Sequence, residues 1–204
     1  MRRGLLIAAV VLVVLVGVSQ FVIPPVAETR IEDRLTSGGG SAEVSLEAVP
    51  AARLLFGDGK RISVNGSGLD LDLEQQTDVL DKLDGFDEVA VHLTHFRAGP
   101  FAVASFDLTR PGSAAPYQLR SIAQTTAGAV AEYGASRLGL LGGPLLRFLA
   151  GKAFGHKQAI PIRLDMGLRS DGGRIVVVSG GGAVAGVPTG PLAELITSAI
   201  VVEL

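Results

Sequence analysis

Few side chains in this sequence are of types and spacing that could do chemistry. The 204 residues include three His and no Cys, which removes disulfides, thiolate metal sites, cysteine nucleophiles and a lipidated N-terminal cysteine. His92 and His95 invite a metal reading, but a zinc site wants three or four converging N, S or O ligands. Residues three apart on a strand point to opposite faces, so the pair reads as polar strand residues and no metal is expected. Gly180-x-Gly182-x-x-Ala185 has the outline of a dinucleotide loop. That fingerprint opens a helix inside a βαβ unit, whereas Gly186 and Pro188 cut the next segment short, so a bulge or strand bend is expected. No serine sits at the centre of a G-x-S-x-G elbow, and Asp70 and Asp72 alternate as acids do on a solvated strand face. No catalytic residue and no cofactor is assigned, and the chain reads as a non-enzyme.

Apolarity and charge are more informative. Arg2 and Arg3 precede an uncharged run from Gly4 to Ile23. At ~1.5 Å per residue a helix of that length nearly matches the ~30 Å hydrocarbon core of a bilayer. A basic start followed by such a run is what the export machinery reads. It is expected to be a signal peptide, cleaved after Ser19, or a retained transmembrane anchor, with everything from Pro24 onward outside the cytoplasm. An exported domain without disulfides suits a bacterial cell envelope. The net charge of −2, with no clustered basic face, argues against nucleic acid as a partner. Between Ser113 and Arg163, Glu132 is the one acid among several cations. Apolar helical sequence of that kind suits an anionic lipid surface, and it suits equally a core helix whose arginines snorkel to its rim.

The elements that would position these residues follow from periodicity. Val26, Ala27, Ile31 and Leu35 share one helical face after Pro24-Pro25, and the SGGGS behind them reads as a flexible joint. Strand alternation begins at Ala42 with Val44, Leu46 and Ala48. A short helical turn is expected over Pro50–Phe56, then strands over Arg61–Asn65 and Leu69–Leu73, and a helix ended by Gly85. Glu88–Phe96 and Phe101–Leu108 form a hairpin pair around Gly99-Pro100. Tyr117–Leu138 reads as a helix, followed by a second one from Pro144. Ile160–Met166 and Ile175–Val178 read as strands, Gly180–Gly182 as an interruption, and Pro188–Ser198 as a closing helix. The expected architecture is α+β, a curved, largely antiparallel sheet packed against helices and preceded by the N-terminal membrane segment. Three parts are expected: 1–23 as signal or anchor, 24–41 as amphipathic helix and joint, and 42–204 as one domain.

One stretch carries a family resemblance. VAETRIEDRLTSG, then VSLEAVPAARLLFGDGKRISVNGSGLDLDL, behind an N-terminal signal or anchor, resembles the LmeA-like phospholipid-binding family of actinobacterial cell envelopes. Val44, Leu46, Pro50, Leu54, Leu55, Gly57, Ile62 and Val64 occupy the family's places for strand, proline-containing turn, short apolar helix, glycine and strand. Val49 and Ala51 flank Pro50 where the family often has an aromatic. The resemblance covers the outline of most of the chain. It implies an exported protein that binds phospholipid in a cavity lined by apolar side chains. It also implies a link to lipoglycan assembly, with envelope-assembly membrane proteins as partners. On this reading Arg120, Arg137, Arg147 and Lys152 are the expected headgroup contacts. Leu141, Leu145, Phe148, Leu149 and Phe154 are the expected acyl-chain contacts. Pro144–Phe154 is then a lid or membrane-docking element on an anionic plasma-membrane surface. Two alternatives stay open: a structural or partner-binding envelope protein without lipid cargo, and a hydrolase or transferase acting on an envelope lipid.

Overall fold

The stretches of period two meet in one sheet. The computed structural model describes residues 20–71, 80–136, 158–172, 174–184 and 187–188. Helix α1 covers 20–35. It is followed by β1 (Ser41–Glu47), a 3-10 turn (Ala51–Phe56), β2 (Gly59–Ser67) and β3 (Asp70–Leu71). Helix α2 (Asp81–Asp84) leads to β4 (Phe86–Ala98), β5 (Phe101–Arg110) and β6 (Tyr117–Thr126), which runs into α3 (Ala127–Ser136). Then come β7 (Ala159–Asp171), β8 (Arg174–Val184) and β9 (Val187–Pro188). The strands form a nine-stranded sheet in the order β1-β2-β4-β5-β6-β7-β8-β9, with β3 on β4. Neighbours are antiparallel except that β2 and β3 both run parallel to β4. The fold is thus mixed α+β with a large, open, mostly antiparallel sheet and few helices. Among the described residues no helix is long and apolar enough to cross a membrane, and residues 1–19 lie outside them.

One sheet face is apolar and the other polar, which is what alternation specifies when a single face is covered. Val44, Leu46, Ile62 and Val64 from β1 and β2 join Val91, Leu93, Phe106 and Leu108 from β4 and β5 on the buried face. Leu119, Ile162, Leu164 and Met166 extend it across β6 and β7. The α1 residue Leu35, the α2 residue Leu83 and the α3 residue Val130 are buried in the same core. Strict alternation slips in β4 at His95, whose φ is +49°, and the register also shifts at Val103/Ser105 and Gly167/Leu168. Thr94 and His95 are both exposed there while Leu93 and Phe96 are buried. His92 and His95 are therefore both solvent-facing, not on opposite sides as regular pleating would put them.

Segment 117–126 corrects the sequence reading: it is a strand, and the described part of the helix is Ala127–Ser136. Leu119, Ile122 and Thr126 have helical spacing, but Tyr117, Leu119, Ser121, Ala123 and Thr125 form the buried row of a strand. Two of that row are polar, which hid the period. Ser121 Oγ donates to the Ser105 carbonyl at 3.1 Å and Thr125 Oγ1 to the Pro100 carbonyl at 2.8 Å, so neither is left unsatisfied by burial. The switch to helix occurs at Thr126, whose Oγ1 accepts from the Ala129 N–H at 3.0 Å as an N-cap. Gly180–Gly182 likewise does not interrupt: β8 is continuous through it. A Cβ at Gly182 would lie 2.4 Å from a Leu164 methyl, so glycine is what lets β8 approach β7. The helices expected from Pro144 and over Pro188–Ser198 fall outside the described residues, apart from Pro188, which is in β9.

The joint after α1 is also tighter than its composition implies. A Cβ on Gly38 would stand 2.2 Å from the Asp70 carbonyl oxygen, and one on Gly40 (φ +89°) 2.5 Å from the Gly68 backbone. The SGGGS stretch is a packed turn, holding α1 against the sheet.

The sequence of α1 divides into rows of spacing four, which stack on one side of a helix. Ile23, Ala27, Ile31 and Leu35 make the inner row, and Ala27, Ile31 and Leu35 pack on the core. Glu28 and Glu32 make a second row beside β1. The Leu46 N–H donates to Glu28 Oε1 at 2.7 Å and the Val44 N–H to Glu32 Oε1 at 2.8 Å. β1 is an edge strand, and its outward amides would otherwise be open donors. Replacing both glutamates by alanine should cost about 2–4 kcal/mol, given ~1.5–3 kcal/mol per hydrogen bond to a charged group discounted for partial exposure. Hydrogen exchange should show protection falling at the Val44 and Leu46 amides while β2 keeps its own. Unchanged protection at those two amides would show that the carboxylates do not hold the edge.

Candidate functional site

The third row of α1 is Val22, Val26, Arg30 and Arg34, apolar at its start and cationic at its end. It forms one wall of an open groove of about 450 Å³. The opposite wall is assembled from several elements: Leu46 of β1, Ile62 of β2, Leu54 and Leu55 of the 3-10 turn, and Leu83 and Phe86 around the end of α2. Lys82 joins Arg30 and Arg34 as cations of the lining, and among the described residues the lining contains no acid. An apolar cleft of this size with a few charged groups is the usual form of a site for a small or amphiphilic ligand.

The 3-10 turn brings the groove to the protein's surface. Ala51 is buried and Leu54 packs on the core, so the six-residue turn has used its inward positions. Leu55 and Phe56 point out, 70% and 83% exposed. Gly57 ends the turn at φ +75°, its N–H donating to the Arg53 and Leu54 carbonyls, a left-handed position that glycine takes without steric cost. Val49 just before the turn, and Phe21 and Val22 at the start of α1, are also exposed.

A second cluster is polar and buried. Asp84 at the end of α2 accepts from Arg110 Nη1 at 3.3 Å, from the Tyr117 hydroxyl at 2.9 Å and from Ser170 Oγ. Arg110 Nη2 also donates to the Leu83 carbonyl at 3.1 Å and to that of Phe86. The guanidinium stacks 4.5 Å from the Tyr117 ring centroid. Burial pushes the Tyr117 phenol far above its ordinary range; the Arg110 charge opposes this, and the charge and hydrogen bond of Asp84 add to it. With three donors on it, the Asp84 carboxylate has no free role as a base; it ties α2, β5, β6 and β7 together. A hollow of about 390 Å³ opens beside the cluster. Asp84→Ala should lower stability by ~3–5 kcal/mol because it strands a buried cation. Tyr117→Phe should cost only ~1 kcal/mol, the net value of one hydrogen bond. Denaturant unfolding that ranked the two the other way would contradict the tie.

The polar face of the sheet holds the histidines. His92 Nδ1 and Asp107 Oδ1 are 2.7 Å apart, and both side chains are about half exposed. The register sets them in a row, Asn65, His92, Asp107, Arg120, Asp165, across five strands. Neither flanking residue, Asn65 nor Arg120, is a nucleophile that a His–Asp pair would activate. Cross-strand pairing of opposite charges accounts for the row. Four residues back along β2 and β4 from that row, Arg61 lies between Glu47 and Glu88; its hydrogen bond to Glu88, then the charges of Glu88 and Glu47, raise its pKa. Among the described residues no three His, Asp or Glu converge as a metal site would require.

Of the headgroup residues expected from the sequence, Arg120 lies on this polar face, 3.8 Å from Asp165 and three-quarters exposed, away from the groove. Its segment is a strand, so its side chain points opposite to Leu119. Arg137, Arg147 and Lys152, and Leu141, Leu145, Phe148, Leu149 and Phe154, lie outside the described residues. The groove residues of α1 were not singled out as a site from the sequence. The signal was there, in the change from Val22 and Val26 to Arg30 and Arg34 along one row of spacing four. So was LLF in a turn too short to bury all three side chains.

No protein-family model, no curated protein and no solved structure matches this chain.

Proposed function

We propose that this chain is an extracytoplasmic phospholipid-binding protein of a bacterial cell envelope, without enzymatic activity, as its resemblance to the LmeA-like family implies. The observation that carries the reading is the groove between α1 and the sheet, with apolar walls and, among the described lining residues, cations including Arg30 and Arg34 but no acid. An acyl chain lies between Val26 of α1 and Leu54 of the turn, and the phosphate meets Arg30 and Arg34. Each methylene taken from water contributes ~0.8 kcal/mol, so about eight of them offset roughly 6 kcal/mol of the cost of leaving the bilayer. The cations then select anionic headgroups. Export by the Gly4–Ile23 segment places the groove beside the outer leaflet of the plasma membrane, where such lipid is available to envelope lipid or lipoglycan assembly.

The test is native mass spectrometry of the full chain released from detergent. The expected spectrum carries phospholipid adducts, with anionic lipid enriched over its share of the membrane. Val26→Asp should remove at least nine-tenths of the adduct, since it sets a carboxylate in the apolar wall. Val26 is about half exposed, so this change should leave the unfolding midpoint nearly unmoved. A chain that emerges free of lipid, or a Val26→Asp variant that keeps it, would refute the reading.

A further inference from the structure

Beyond a groove that holds one lipid, the end of the domain at which the groove opens has the character of a docking edge. Five large apolar side chains lie there in water: Phe21 (83% exposed) and Val22 (52%) on α1, and Val49 (78%), Leu55 (70%) and Phe56 (83%) around the 3-10 turn. Val22 and Leu55 line the same groove from its two walls, and Phe21, Phe56 and Val49 adjoin them in sequence at the start of α1 and around the turn. A turn that exposes Leu-Phe beside exposed cations, Arg53 within it and Lys60 just after it, has the composition of a segment that enters the interface of a bilayer.

The chain itself indicates the occupant. Residues 20–23, the last of the uncharged Gly4–Ile23 run, are the first described turn of α1. The apolar run therefore delivers the domain to whatever holds that run, with the Phe21–Phe56 end nearest. Arg30 follows Ile23 by about 10 Å of helix at ~1.5 Å per residue. With ~5–7 Å of headgroup region on each side of the hydrocarbon, the Arg30 backbone stands a few Å beyond it, and its long side chain, tilted toward the helix N-terminus, spans the gap to the phosphates.

We infer that Val49–Phe56, together with Phe21 and Val22, is a bilayer-docking edge that inserts Leu55 and Phe56 into an anionic leaflet, with Arg53 and Lys60 against its headgroups. Docking seats the mouth of the groove in the lipid, so a chain enters from the leaflet without crossing water. The inference rests on the reading that Gly4–Ile23 resides in the membrane and that lipid is the ligand, but its test is separable from that of lipid carriage.

The sequence contains no Cys, so a single introduced cysteine gives one labelled site. Leu55→Cys, Phe56→Cys and, as a control on the polar face, Gln118→Cys are each labelled with an environment-sensitive fluorophore. Each full-length chain is reconstituted into vesicles of phosphatidylcholine with or without phosphatidylglycerol. Nitroxide-bearing acyl chains in the phosphatidylglycerol vesicles should quench the probes at 55 and 56 strongly and the probe at 118 hardly at all. Quenching at 55 should fall several-fold in neutral vesicles, at high salt, or in an Arg53→Glu, Lys60→Glu background. Probes at 55 and 56 as unquenched as that at 118 would overturn the inference. Quenching indifferent to lipid charge, salt and those substitutions would overturn its anionic specificity. Protection from water in native membranes without quenching in vesicles would overturn it in favour of a protein partner. Each of these results is independent of whether the chain carries lipid in mass spectrometry.

Discussion

Two carboxylates from a helix close the open edge of the sheet, and the arrangement of the whole α1 end depends on them. An edge strand presents unpaired amides, and a protein must cover, pair or blunt them. Here the Val44 and Leu46 N–H groups are taken by Glu32 and Glu28. Spacing of four puts both carboxylates on one helical row, and the strand repeat of two puts both amides on one edge. The two periods meet only when the helix lies alongside β1. Once that is so, Ala27, Ile31 and Leu35 face the core, and Val22, Val26, Arg30 and Arg34 face the opening above Leu46 and Ile62. The groove follows from how the helix is held; no single element contains it.

A sheet with one apolar face must be covered, and the covering elements decide where space is left. At the β1 end α1 and the 3-10 turn supply facing walls of the groove, and Leu83 of α2 lines it as well. The Asp84–Arg110–Tyr117 cluster fixes α2 there. Arg110 is buried with its charge matched by Asp84 and its Nη atoms bonded to Asp84 and to the Leu83 and Phe86 carbonyls, while its Nε has no hydrogen-bond partner. Losing the matching charge would be costly, so the cluster holds α2 in place. The tight contact of Gly38 and Gly40 on residues 68–70 serves the same end from the other side. Rigid support around an open apolar slot is the arrangement that an amphiphile-binding reading requires, since a slot that collapsed would bury its own walls.

Much of the sheet was legible because only one face is buried, so Val44-x-Leu46, Ile62-x-Val64, Phe101-x-Val103 and Ile160-x-Ile162 each announce a strand. The inner row of α1 was legible for the same reason at its own period. What escaped is what depends on distant partners. Ser121 and Thr125 stand at core positions because Ser105 and Pro100, elsewhere in the chain, supply carbonyls; without those, the segment looks helical. A glycine run reads as loose until another backbone is seen lying on it. The groove draws one or two residues from each of several elements, so no local pattern marked it. Arg120 was assigned to lipid on the strength of a helix that is a strand, and its neighbour Asp165 comes from the adjacent β7, directly opposite in register but many residues away in sequence.

The central claim is that a phospholipid acyl chain occupies the groove between α1 and the sheet. The most direct measurement is photocrosslinking in membranes that contain the full chain and a phospholipid with a photoactivatable group on one acyl chain, followed by peptide mapping. The account predicts adducts on the α1 peptide carrying Val26 and on the turn peptide carrying Leu54, competed away by unlabelled anionic phospholipid. Adducts confined to residues 1–19, or spread over the polar face around His92 and Arg120, would contradict it.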